Sequence, residues 1–143
     1  MTKARGKIVE SYFKSELESV FDKGFLEGGT SKFDQLNKKR DLTVKELRKK
    51  ESELFSDEAE IALAGQPEEE KKKFDQYRAE LSRAAERLET AIFAQIVGRF
   101  ETLSKDLEAG IVALQTNTAS IQRTVDFFAA LSRVLGIIGR ILL

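Results

Sequence analysis

The stretch 67-PEEEKKKFDQYRAELSRAAERLETAIFAQIVGRFETLSKDLEAGIVAL-114 decides the fold. Phe74, Tyr77, Leu81, Ala84, Leu88, Ile92, Ile96, Phe100, Leu103, Leu107, Ile111 and Leu114 follow one another at steps of three or four. That is the spacing of one face of an α-helix. Steps of four outnumber steps of three, so the period lies nearer 3.6 than the 3.5 of a strict coiled coil. The start is well marked. Pro67 suits the first helical position, and Glu68, Glu69 and Glu70 complement the positive end of the helix dipole. Lys72 and Lys73 stand four residues beyond Glu68 and Glu69, the favoured orientation for helical ion pairs. Unbroken, this helix would be about 70 Å long at 1.5 Å per residue, so an elongated fold is expected. Gly98 and Gly110 each weaken it by roughly 1 kcal/mol relative to Ala, or mark places where another helix comes close.

Outward from this ladder the punctuation is sparse. Pro67 is the only proline. Gly65 and Pro67 form the clearest boundary, with glycine where a helix C-cap belongs. Upstream, Ile8, Tyr12, Phe13, Leu17, Val20 and Phe21 predict a first helix over about residues 2–26. The GGTS run at 28–31 supplies a stop and a new N-cap. A second helical region starts near Ser31 and carries Phe33, Leu36, Val44, Leu47, Leu54, Phe55 and Ile61. Thr43 and Glu46 have capping-box spacing, which leaves a break at 41–43 and an uninterrupted helix equally open. Downstream, QTNTAS at 115–120 collects residues that compete with the backbone for hydrogen bonds and prefer caps and turns. A final helix is expected at about 120–143. No alternating β-pattern and no hairpin signal interrupts this series.

Composition removes whole classes of chemistry. There is no Cys and no His among the 143 residues. Disulfides, thiolate nucleophiles, zinc sites with Cys or His ligands and imidazole acid–base catalysis are therefore excluded. Lys plus Arg equals Asp plus Glu, 24 against 24, so no net field draws the chain to nucleic acid. The charged fraction, 34%, suits long helices with broad solvated faces, while the 41% hydrophobic fraction is too high for a disordered chain. The N-terminus has no apolar core of the kind a secretory signal needs.

Most of the unrelieved apolar sequence is crowded into 125-VDFFAALSRVLGIIGRILL-143. Asp126, Arg133 and Arg140 are seven apart and share one narrow face. Three readings follow. A helix apolar over most of its circumference belongs inside a bundle. The two arginines make a membrane span costly, but a helix lying in the interface fits, with Phe127 and Phe128 at the apolar surface and Arg133 and Arg140 near anionic headgroups. In composition the run resembles short cationic membrane-active peptides such as the temporins. The third reading is an exposed docking helix for a partner. The residues that would carry contact with a partner or membrane are Phe127, Phe128, Leu131, Arg133, Leu135, Ile138 and Arg140. Gly136 and Gly139 lie on roughly one side, where they either admit a close neighbour or are simply tolerated near the end of a helix.

Lys38, Lys39, Arg40, Lys45, Arg48, Lys49 and Lys50 form the one dense basic cluster. Lys38, Lys39, Arg40, Arg48 and Lys49 are the candidates for contact with an anionic surface. Asp41, Glu46, Glu51 and Glu53 are interleaved with them, which favours an ordinary solvated helix face. The carboxylates form no di-iron motif, which needs Glu-x-x-His, and no calcium or phosphate loop is present. No catalytic, cofactor-binding or metal residues are assigned.

The expectation is a single α-helical domain over residues 1–143, an all-α elongated antiparallel bundle of three or four long helices. The function expected is that of a non-enzymatic structural or protein-interaction protein that self-associates through amphipathic helices, with a homo-oligomer or a helical protein as partner. The alternative is a membrane-associating bundle that uses its C-terminal helix at an anionic membrane surface. The expected location is cytoplasmic, peripheral at a membrane under the alternative.

Overall fold

A computed structural model gives the fold, and the structure describes residues 31–143. The helix expected over about residues 2–26 lies outside them. The described residues are 87% helical with no strand. Four long helices and two short ones follow in order: α1 Lys32–Leu54, α2 Asp57–Leu63, α3 Glu68–Thr90, α4 Phe93–Ala113, α5 Thr118–Gln122 and α6 Thr124–Leu142. The all-α bundle expected from the periodicity is what forms.

Local chemistry sets most of the ends. Ser31 Oγ accepts from the Asp34 N–H at 3.1 Å and starts α1. Ser56 caps α2 through the Ala59 N–H, and Asn117 caps α5 through the Ser120 N–H. α1 runs straight through residues 41–43, and Thr43 there donates to the Lys39 carbonyl one turn back instead of capping a new helix. The break that does occur lies later, at Phe55 and Ser56. Pro67 sits one position before the first helical residue, with extended ψ of 152°.

The largest departure from the sequence reading is inside the long ladder. No helix runs from 67 to 114. Ala91 and Ile92 are extended, at φ/ψ −61°/140° and −68°/111°, and α4 turns back antiparallel to α3. Neither residue breaks helices. The cause is tertiary: a 70 Å helix would leave half its apolar stripe without cover within one chain, whereas folding it back puts Leu81, Leu88, Phe100 and Leu107 in one core. Each half is about 35 Å long.

The long helices form a ring of neighbours in which α1 packs on α3 and α4, and α6 packs on the same two. Contacts fix the directions. Arg40 on α1 reaches Leu88 and Ala91 at the end of α3, and Ser82 on α3 donates to Glu51, so α1 and α3 are antiparallel. Arg99 near the start of α4 reaches Ile141 at the end of α6, so these two are antiparallel as well. Phe33 meets Phe93 and Lys39 meets Ser104, which makes α1 and α4 parallel neighbours. α3 and α6 are parallel too, with Phe74 stacked on Phe127 and Tyr77 on Phe128. The bundle is thus two antiparallel helical hairpins, α1/α3 and α4/α6, packed on each other and joined by two residues. α3 and α4, consecutive in the chain, occupy a diagonal. The short helices α2 and α5 pack on each other beside the far end.

Three arginines close the helix ends across the bundle. Arg40 donates to the Leu88 and Ala91 carbonyls of α3, both at 3.0 Å, and lies 5.2 Å from the Phe93 ring. Arg78 on α3 returns the favour to α1 by donating to the Leu54 carbonyl, and it also pairs with Glu60 and Asp75. Arg99 donates to the Ile141 and Leu143 carbonyls at 2.9 and 2.8 Å. Each guanidinium meets the negative end of a helix dipole and satisfies carbonyls that have no partner within the helix.

Candidate interaction surface

α6 is the helix on which the sequence reading placed most of its candidate contacts. Phe127, Phe128, Leu131 and Ile138 are buried in the bundle, together with Val134, Ile137 and Ile141, and Leu135 is half-buried. Asp126, Arg133 and Arg140 face solvent as their common spacing predicted. The apolar members of the set are therefore core residues of this fold, and only the two arginines are presented outward. A β-carbon added at Gly136 or Gly139 would meet nothing within 4 Å, so no helix approaches closely there. The close approach is at Gly110, where an added β-carbon would lie 3.3 Å from Val134 Cγ2. No described helix is long and apolar enough to cross a membrane.

The basic cluster is dispersed by the same geometry. Lys39 and Arg40 are buried, and the Lys39 ammonium donates to Ser104 Oγ at 3.2 Å. Burial holds Lys39 below the ordinary lysine value, with the Glu108 carboxylate opposing that shift and Lys105 adding to it. Burial lowers Lys50 likewise, against Glu53 and Glu46. Arg48 pairs with Glu51 at 2.9 Å and with Glu89 at 3.2 Å. Of the five cations proposed for an anionic surface, Lys38 and Lys49 alone remain exposed. Glu53, near the end of α1, accepts from Thr116, just beyond the end of α4.

The surface that sequence inspection missed is the corner where α3 turns into α4. Ile92 is 64% exposed although it belongs to the apolar ladder. Phe33 and Leu143 stand exposed at the same end of the bundle. Between α3, α4 and the end of α6 lies an open depression of about 490 Å³, lined by Arg87, Thr90, Ala91, Ile92, Gln95, Ile96, Arg99, Leu142 and Leu143. Its groups are two guanidiniums, a hydroxyl, an amide and aliphatic carbon. Among the described residues that line it, no nucleophile stands beside a base that would activate it. Among the described residues no cluster of acidic side chains is arranged to hold a metal ion.

No protein-family model matches the chain, and comparison with curated proteins and with solved structures found no match either.

Proposed function

We propose that the chain is a non-enzymatic structural or protein-interaction protein that self-associates through its long amphipathic helices. The observation that carries this reading is the α3–α4 corner. Ile92 continues an unbroken series of apolar positions, yet it projects into solvent at the depression that Arg87 and Arg99 also line. Ile92, Phe33 and Leu143, exposed at one end of the bundle and not covered by the described residues, support burial against a second molecule. Sedimentation velocity in detergent-free buffer, from low to high micromolar concentration, tests it. The wild-type chain should shift to a dimer or larger species, and Ile92→Lys should weaken the shift by placing a charge at the contact. A wild-type chain that stays strictly monomeric refutes the reading.

A further inference from the structure

The turn between α3 and α4 contains no residue that needs to be there. Glu89, Thr90, Ala91, Ile92, Phe93 and Ala94 include no glycine and no proline, and the apolar series Leu88, Ile92, Ile96 steps through them in fours. α4 starts without a side-chain cap, and its N-cap residue is Ile92 itself. Helices that end for local reasons carry capping residues and breakers. This junction has neither, so it is held open from outside.

Arg40 is what holds it. Its guanidinium donates to the Leu88 carbonyl and to the Ala91 carbonyl. In a continuous helix those two carbonyls would accept from the N–H groups of residues 92 and 95, four positions on. Arg40 therefore competes for the acceptors that helix propagation through the junction would use. It also lies over the Phe93 ring, which fixes the first residue of α4.

We infer that the chain forms a dimer by exchanging hairpins: the Ala91–Ile92 junction straightens, α3 and α4 become one helix, and the α4/α6 hairpin of each copy packs on the α1/α3 hairpin of the other. The inference rests on the self-association reading and gives its partner and mode. Every contact between the hairpins, from Phe74 on Phe127 to Lys39 on Ser104, is re-formed between copies, so the core is kept. The two junctions then lie side by side, where Ile92 of one copy meets Ile92 of the second copy and loses its exposure. Arg40 is the latch that sets the balance between closed monomer and exchanged dimer. Short connections are known to favour this type of exchange.

The absence of cysteine allows labels to be placed at will. Gln76 and Ala109 are both exposed, and in the closed fold both lie at the end of the bundle away from the junction. Spin labels on Gln76→Cys and Ala109→Cys should read under about 30 Å across a four-helix bundle. On one continuous helix the 33-residue separation becomes about 50 Å. The labelled chain is mixed with excess unlabelled chain before refolding, so that only the distance within one copy is read. The dimer fraction should show the long distance. Ile92→Pro should abolish that species and leave the monomer folded, because φ of −68° at residue 92 already suits proline, and the extended Ala91 suits the position before it. Arg40→Met should raise the dimer fraction several-fold at equal concentration. A dimer whose label distance stays short, or one that survives Ile92→Pro unchanged, overturns the exchange while leaving self-association standing. A wild-type chain that stays strictly monomeric overturns both, whatever Arg40→Met does.

Discussion

Two glycines in one helix provide a sharp test of the packing. Gly98 and Gly110 are both inside α4, and both look like simple defects from propensity alone. A β-carbon at Gly98 would meet nothing within 4 Å, and the residue is exposed. Gly98→Ala should therefore deliver the propensity difference undiluted, about 0.5–1 kcal/mol of added stability, partly by restricting the unfolded chain. At roughly 3–6 °C per kcal/mol for a domain of this size, the melting temperature should rise by about 2–5 °C. Gly110 differs. It is buried, and an added β-carbon would stand 3.3 Å from Val134 Cγ2 and 3.7 Å from Ile137 Cδ1. Val134 is fully buried and β-branched, so its side chain has little freedom to retreat. The crowding should cancel the propensity gain, leaving Gly110→Ala within about 0.5 kcal/mol of wild type, whereas Gly110→Leu should lose about 1–3 kcal/mol or more by overpacking. Thermal melts followed by far-UV circular dichroism, with urea midpoints as a second measure, distinguish these outcomes. If Gly110→Ala stabilises as much as Gly98→Ala, the α4–α6 contact is not as close as described. If Gly98→Ala destabilises, that face of α4 is covered.

On α6, Leu131→Asp should destabilise by several kcal/mol because Leu131 is fully buried, while exposed Arg133→Asp should change stability by less than about 0.5 kcal/mol. Equal shifts in the two melts would mean that α6 is not packed as described, and liposome flotation of Arg133→Asp reports separately on headgroup attraction. Buried Lys39 and half-buried Lys50 make an alkaline prediction. Lys39 and Lys50 titrate below their unfolded value of 10.5, so the unfolded chain binds more protons in the window between the depressed folded value and 10.5. Their contribution to stability therefore rises as pH climbs through that window. Lys39→Met should flatten the rise in urea-unfolding free energy, and an unaltered slope would remove Lys39 from the account.

The periodicity made four features legible: helical class, the 65–67 boundary, an interruption after Leu114, and the common face of Asp126, Arg133 and Arg140. Each is a local property, written in spacing or in a cap. The fold-back at Ala91–Ile92 was not legible, since no glycine or proline marks it and the reason to turn lies in burying both halves of the ladder on one core. The break at Phe55–Ser56 had a signal: Ser56 followed by Asp57 and Glu58 is an N-cap with an acidic first turn. The fate of the basic cluster was also partly written. Arg40 stands four after Leu36 and seven before Leu47, on the apolar stripe of α1, while Lys38, Lys45 and Lys49 fall on the opposite side. Charge alone suggested a surface patch, and period placed Arg40 inside. Its targets, the Leu88 and Ala91 carbonyls, depend on a turn that the sequence does not announce.

The two functional readings make different demands on α6, and the magnitudes separate them. Seven buried apolar side chains hold α6 to the bundle. At roughly 1.5–3 kcal/mol each they contribute on the order of 10–20 kcal/mol, an upper bound that already matches the whole stability of a typical domain, about 5–15 kcal/mol. Membrane association through those side chains requires α6 to leave α3 and α4, exposing the core faces of both. The lipid contact would then have to offset the loss of most of the bundle. Exchange between copies asks for much less. The α4/α6 hairpin moves as a unit, α6 keeps its contact with α4 throughout, and its contacts with α3 are re-formed on the second copy. The only bonds given up for good are those that Arg40 makes to the turn, two hydrogen bonds to carbonyls at roughly 1.5–3 kcal/mol each for a charged donor. In return the helix gains its own bonds through residues 91 and 92, and Ile92 is buried. In its end state the exchanged dimer keeps the core of the fold, whereas release of α6 gives most of that core up.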